Sequence, residues 1–451
     1  MADRRQLHLN LFILSSGHHE AAWRHPSSTP ERMFDPAFYT ELARSAEAAA
    51  FDAVFLADIP KLDANIEFNA AGRLDPLLTL ATIAGATERI GLIATASTTY
   101  SYAWHLARAL SSLDHLSRGR AAWNIVTTDS PDAARNFGLP GNPDAGTRYE
   151  RADAFVEAVL TLWDSWDDDA VRIDREAGQY ADPTRITAPR ISGPHVNVAG
   201  PLTTPRPPQG HPVLVQAGSS DHGREFAARH AEAIFTAQQR IDDAQAFYAD
   251  VKGKAAALGR DPEHIKILPG LSPFIGGTEA EARRLETEFN ELTIPAFGLM
   301  QLKDFAYVDL DDLELDAPVP IEAFGDAGDV TNNKKSRTQV YADIVRRERP
   351  TLRQLLHRLA GARGHRVVAG TPEQIADTMV EWLDAGAADG FNVMPPYLPG
   401  GFDTFAETVV PILRTRGLFR EGYEGTTLRD HLGLPRPNRV RESTSSADRA
   451  R

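Results

Sequence analysis

Residues 212–235, PVLVQAGSSDHGREFAARHAEAIF, place an apolar run, a small-residue turn and a helical pattern in immediate succession. Val213, Leu214 and Val215 lead into Ala217, Gly218, Ser219 and Ser220, and a helix is predicted to open at about Asp221. Such a turn brings free backbone N–H groups, two hydroxyls and the positive end of a helix to one point, a combination that suits a phosphate. Arg224, at the start of that helix, would add a charge-assisted bond. The same residues also make an ordinary Ser-capped turn, so the segment alone does not decide between the two.

A second group able to do chemistry is Ser15, Ser16, Gly17, His18, His19 and Glu20. Neighbouring residues on extended backbone point in opposite directions, so His18 and His19 are poorly placed to share a metal, and no second dense His/Asp/Glu cluster follows. No metal is predicted. His18 or His19 suits proton donation or substrate contact, because imidazole titrates near neutrality. A plain structural histidine is the competing reading. Asp58, Thr95 and Asn124 fall at or near the ends of apolar runs, where Asp58 suits a ligand hydroxyl, with a turn cap as the competing reading.

The elements that must position these residues are short apolar strands at 7–13, 53–57, 90–95, 121–127, 212–216, 232–236, 265–269 and 390–394. Helical patterns lie between them; the clearest runs from 148 to 166, with Tyr149, Ala152, Phe155, Val156, Val159, Leu160, Trp163 and Trp166 on one face. Eight strands alternating with helices predict a parallel sheet with crossovers, and eight is also the number that closes a barrel, the TIM (β/α)8 barrel. Function in such a barrel gathers at the C-terminal ends of the strands. Residues 167–211 and 271–365 break the rhythm and are read as insertions in one domain spanning 1–435. The second, with its acidic run Asp309 to Asp316, suits a lid or binding loop and equally a packing or oligomer element. Residues 436–451, polar and rich in Ser and Arg, are predicted to be a disordered tail.

Composition narrows the partners. The chain has 451 residues, a formal net charge of -14 and no cysteine. That charge argues against nucleic acid or an anionic membrane as the main partner; the missing cysteines exclude disulfides, thiolate metal sites and Cys nucleophiles. No apolar run reaches membrane-spanning length. LHLNLFIL, after Arg4 and Arg5, is too short for a secretory signal and lacks a cleavage site, so it is read as a first strand in a cytoplasmic protein. There is no G-x-G-x-x-G after a strand, no P-loop and no G-x-S-x-G elbow.

Several segments, in order and along nearly the whole chain, resemble the nitrilotriacetate monooxygenase type of the bacterial luciferase-like flavin monooxygenases. They are GHHEAAWRHP (17–26), FDAVFLAD (51–58), IGLIATASTTY (90–100), LDHLSRGRAAWNIVTT (113–128), RYERADAFVEAV (148–159), PVLVQAGSS (212–220), GTPEQIADTMVEWLDAGAADGFNVMPPYLPGG (370–401) and GYEGTTLRDHLGL (422–434). The resemblance implies a luciferase-like TIM barrel that binds reduced FMN at its mouth. It also implies a separate NAD(P)H-dependent flavin reductase, O2 as co-substrate, and a small organic substrate oxygenated with C–N or C–S cleavage. A homodimer or homotetramer is implied as well. By the same resemblance Asp58, Thr95 and Asn124 face the flavin ring or ribityl chain. Tyr149 joins Ser219 and Ser220 at the phosphate, Ala217 and Gly218 allow close backbone approach, and His18 or His19 lines the substrate side.

Two departures stand out. Ala145 occupies a position where the family often has His, and SYAWHLAR with Trp104 and His105 follows STTY, suggesting an altered pocket wall or a compensating histidine from another helix. The rival readings are a deazaflavin-dependent hydride-transfer enzyme, a sugar-phosphate isomerase or lyase, and a non-catalytic flavin-binding barrel.

Overall fold

The computed structural model describes residues 5–439 apart from 64, 219 and 325–331, and describes only the backbone of 305 and 332–337. Thirteen strands occur among the described residues: β1 (His8–Ile13), β2 (Ala53–Leu56), β3 (Gly91–Ser97), β4 (Ala121–Val126), β5 (Val171–Asp174), β6 (Gln179–Ala181), β7 (Ile191–Ser192), β8 (Asn197–Val198), β9 (Val213–Gln216), β10 (Ala233–Thr236), β11 (Lys266–Ile275), β12 (Arg366–Gly370) and β13 (Gly390–Val393). Eight of them, β1-β2-β3-β4-β9-β10-β11-β13, pair in parallel and close on themselves through β13 and β1. The chain is therefore a (β/α)8 barrel. Each of the eight predicted runs contributes one barrel strand. They are rich in Val, Ile, Leu and Ala because a sheet lined by helices outside and side chains inside is buried on both faces.

Strand alternation sorts the two faces. Leu9, Leu11, Val54, Leu92 and Trp123 point outward into the layer between barrel and helices. Phe12, Phe55, Ile93, Val215, Leu268 and Met394 fill the barrel interior. Polar residues sit among them in register: Asn10 faces Asn392 across β1 and β13, and Thr95 faces Asn124 across β3 and β4. Leu428, Leu432 and Leu434 join the interior cluster at the N-terminal end. There Asp52, fully buried, accepts from the Leu9 N–H at 2.7 Å, lies 3.2 Å from His8 Nδ1 and pairs with Arg420.

Two features differ from the sequence expectation. Strand β11 does not stop at Pro269: it runs on to Ile275, and β12 pairs with its second half from Leu271 onward, after β10 has paired with its first half. Proline lacks the N–H a ladder needs, so the sequence signal broke at Pro269, where the strand changes partner. The insertion is correspondingly shorter than 271–365. Its described part holds the helices Glu279–Glu291, Pro295–Ala306 and Leu352–Ala360, plus Asn332–Glu348, with a hydrophobic cluster of its own around Leu302, Tyr341, Val345, Leu355 and Leu359. The 167–211 segment forms two small antiparallel pairs, β5 with β6 and β7 with β8. Of the expected tail, Arg436 and Arg439 are ion-paired to Asp168 and Asp167, and 440–451 lie outside the described residues.

Candidate active site

The C-terminal ends of the strands carry a dense polar network. The Asn124 carboxamide donates from Nδ2 to Thr95 Oγ1 at 2.9 Å, leaving its buried Oδ1 without a hydrogen-bond partner. Gln216, at the end of β9, is also buried with a partnerless Oε1. Such buried acceptors are expensive unless something donates to them. Thr128 Oγ1 and Ser97 Oγ lie 2.8 Å apart.

Tyr149 reaches this network from the helix Ala145–Trp163. That helix is capped by Asp144, whose carboxylate accepts from the Thr147 N–H, and buries Ala152, Phe155, Val156 and Val159 against the barrel. The Tyr149 hydroxyl lies near the side chains of Ser220 and Thr127, which oppose the rise that burial gives its pKa. Ser220 in turn caps the helix Asp221–His230, accepting from the Gly223 N–H at 3.2 Å. The structure thus unites Tyr149 with Ser220 at a helix N-terminus. Ala217 is exposed and Gly218 half-buried beside them, a Cβ on Gly218 would run into the Gln216 carboxamide, and Ser219 lies outside the described residues.

Arg224 is not part of this group. It pairs with Asp221 and with Asp250 Oδ2 at 3.2 Å, because the next helix presents a carboxylate there. The sequence reading placed Thr127 at a strand end but gave it no role; it follows β4 by one residue. It missed His222, whose ring centroid lies 5.8 Å from that of Tyr149. His222 is a histidine from a different helix near the phenol, whereas Trp104 and His105 do not form a pocket wall. Trp104 donates to the Pro201 carbonyl at 3.1 Å and packs on the outer cluster, and His105 is exposed.

On the opposite side, the loop after β1 is drawn across the mouth. Gly17 (φ 141°) lets it pass against the loop after β13: a Cβ there would lie 2.3 Å from the Pro396 carbonyl oxygen. The His18 and His19 N–H groups then donate to Pro395 and Pro396 at 2.9 and 3.1 Å. His18 Nε2 lies 2.9 Å from the Phe12 carbonyl oxygen, and its ring packs edge-on against Phe12. Burial pushes its pKa down to about 3, so the ring is neutral and Nε2–H donates to Phe12. His19 Nε2 lies 3.2 Å from Asn290 Oδ1, and burial lowers its pKa to about 4. Neither ring holds a spare proton at neutral pH, so both suit hydrogen bonding better than proton donation. Glu20 is buried too: desolvation raises its pKa to about 8, with Arg363 opposing, and its Oε1 has no hydrogen-bond partner. Asp58, two residues past β2, is partly buried and raised by desolvation, with Arg73 opposing.

Arg24 donates to the Leu292 carbonyl, and His25 stacks on Phe289 with centroids 4.1 Å apart, so both clasp the insertion. Among the described residues, no group of three or more His, Asp or Glu is placed to hold a metal, and no helix is long and apolar enough to cross a membrane.

A closed parallel barrel with a polar, helix-capped mouth defines an α/β enzyme of the TIM-barrel class. The chain belongs to the luciferase-like monooxygenase family, which matches residues 11–389, and it is a monooxygenase. It is 44% identical to N-acetyl-S-(2-succino)cysteine monooxygenase of Bacillus subtilis (strain 168), over 97% of this chain and 98% of that protein. It is also 44% identical to nitrilotriacetate monooxygenase component A of Aminobacter aminovorans, with the same coverage. The structure of a riboflavin lyase with modified FMN and riboflavin is similar at a TM-score of 0.85 and 32% identity, covering 95% of this chain and 96% of that one.

Proposed function

We propose that the protein is the oxygenase half of a two-component system, using reduced FMN and O2 to oxygenate a small organic substrate with C–N or C–S cleavage. The observation that carries this reading is the Tyr149–Ser220–Thr127 cluster at a helix N-terminus, beside the partnerless acceptors of Asn124 and Gln216. These residues fit FMN: hydroxyls and a helix end suit the phosphate, and unsatisfied carboxamide oxygens suit donors on the ribityl chain or ring. Tyr149, Ser219 and Ser220 would hold the phosphate; Asp58, Thr95 and Asn124 would face the ring or ribityl chain, with Ala217 and Gly218 giving backbone access. When bound, reduced flavin supplies the two electrons that split O2 between product and water.

The chain's own contribution is orientation and dryness. Neutral His18 and His19 line the substrate side as hydrogen-bonding groups, and the clasped insertion acts as a lid that excludes water. A separate NAD(P)H-dependent reductase supplies the reduced flavin, which agrees with the absence of a dinucleotide fingerprint in the chain and with the word "component" in the name of the Aminobacter relative. A homodimer or homotetramer in the cytoplasm completes the reading, and light scattering of the purified chain checks the assembly.

The deciding experiment is an anaerobic titration of the purified protein with reduced FMN, oxidised FMN and a deazaflavin, followed by O2 with candidate substrates. Preferential binding of reduced FMN, with substrate-dependent O2 incorporation, is expected. Preference for the deazaflavin, or no flavin binding, would refute it.

A further inference from the structure

A second cavity, of about 400 Å3, lies in the insertion, lined by Glu286 and Asn290 from one helix, Ile344, Glu348 and Pro350 from another helix and its C-terminal turn, and Gln354, His357 and Arg358 from a third. Its size falls within the range of small-molecule sites. Its lining is unlike a solvated ion-pair surface, because the charges are incompletely matched. Glu286 is half-buried and makes no hydrogen bond among the described residues; burial raises its pKa, and Arg358 is close enough to oppose that rise. Arg358 lies 3.7 Å from Glu348, too long for a hydrogen bond, and its Nε is buried without a partner. Burial also lowers the pKa of His357, which leaves that ring neutral. A carboxylate and a guanidinium, each short of a partner, thus share a cleft whose remaining wall includes the apolar Ile344 and Pro350.

We propose that this cleft is a second binding site, for a zwitterionic α-amino acid with a medium-sized apolar side chain. The ammonium meets Glu286, the carboxylate meets Arg358, and the side chain covers Ile344 and Pro350. A ligand with both charges satisfies both groups, whereas a simple anion or cation leaves one of them without a hydrogen-bond partner. The site is tied to the barrel mouth through Asn290, which lines the cleft while its Oδ1 faces His19 Nε2 at 3.2 Å.

Calorimetry on the full chain tests this with L-leucine, 4-methylpentanoate (leucine without its amine) and 3-methylbutylamine (leucine without its carboxylate). The expected result is one leucine per chain, with each analogue bound about tenfold or more weakly. Arg358→Gln and Glu286→Gln are each expected to weaken leucine about tenfold. Absence of leucine binding, equal binding of an analogue, or variants that bind leucine as the parent does would overturn the proposal. The analogue comparison needs no variant, so a misfolded substitution does not blunt the test. Reduced FMN binding is measured in parallel; its failure would fault the oxygenase reading and leave the cleft untouched.

Discussion

Tyr149 shows how much a single hydroxyl is asked to do. Its phenol lies between Thr127, at the end of β4, and Ser220, at the start of the Asp221–His230 helix. Tyr149→Phe keeps the ring and its packing against Phe226 but removes the hydroxyl. Loss of one or two hydrogen bonds of about 1 kcal/mol each predicts a reduced-FMN dissociation constant raised roughly tenfold, with little change in Tm. Unchanged affinity in the titration would remove Tyr149 from the site. Asn124 makes the complementary case. Replacing it with Leu deletes a buried, partnerless oxygen along with one hydrogen bond to Thr95, so the flavin-free fold should be nearly as stable as before. Flavin affinity should still fall about tenfold. A large drop in Tm without flavin would mean that the carboxamide serves the fold rather than the cofactor.

At the scale of elements, the loop after β1 is clasped to the insertion, the pair proposed above as the cover of the mouth. His25 stacks on Phe289, His19 meets Asn290, Arg24 binds the Leu292 carbonyl, and the Glu20 N–H donates to the Ala360 carbonyl at 3.0 Å. Deleting the whole insertion would strip the packing from fully buried Phe274, so a lighter cut is more informative. His25→Ala removes one stacked pair, worth about 0.5–1.5 kcal/mol, and should leave the fold intact. If the cover keeps the mouth dry, the fraction of O2 released as hydrogen peroxide rises while Tm barely moves; an unchanged peroxide fraction would argue that these contacts only hold the insertion in place. This clasp was not legible in the sequence, since Arg24 and His25 look like any rim charges until Phe289 and Leu292, far along the chain, fold over them. The barrel strands were legible, because a strand buried on both faces writes itself as a short apolar run. Strand β12 was not: its RVVAG run is brief, and its only strand partner is the half of β11 that Pro269 concealed. Arg224 misled for a related reason, since its partner Asp250 belongs to a different helix. Thr95 and Asn124, expected to share a ligand, do sit in register on adjacent strands, while their role toward a flavin rests with the titration.

For the whole molecule, the buried titratable groups set opposing limits on stability. His18, His19 and His431 have pKa values lowered by burial to about 3, 4 and 4, against 6.5 when unfolded. Below pH 6.5 the unfolded chain therefore binds protons that the folded chain refuses, and stability falls as pH drops toward 4. Glu20 acts in the other direction. Its pKa is raised to about 8 from 4.5, so between those values the folded chain keeps a proton that the unfolded chain loses, and stability falls as pH rises. Each group in its window contributes a slope on the order of 1.4 kcal/mol per pH unit. From pH 4.5 to 6.5 three histidine slopes outweigh one glutamate slope; from 6.5 to 8 the glutamate slope is left unopposed by them. Stability should thus peak near the ordinary histidine pKa of about 6.5, declining steeply on the acid side and gently on the alkaline side. Urea unfolding midpoints measured from pH 5 to 9 trace this profile. Glu20→Gln should flatten the limb between 6.5 and 8 and leave the acid limb in place, because Gln carries no proton to lose. A parent protein whose midpoint is already flat across that interval would show that Glu20 is ionised in the folded state, and with it that the mouth is wetter than a water-excluding oxygenase site requires.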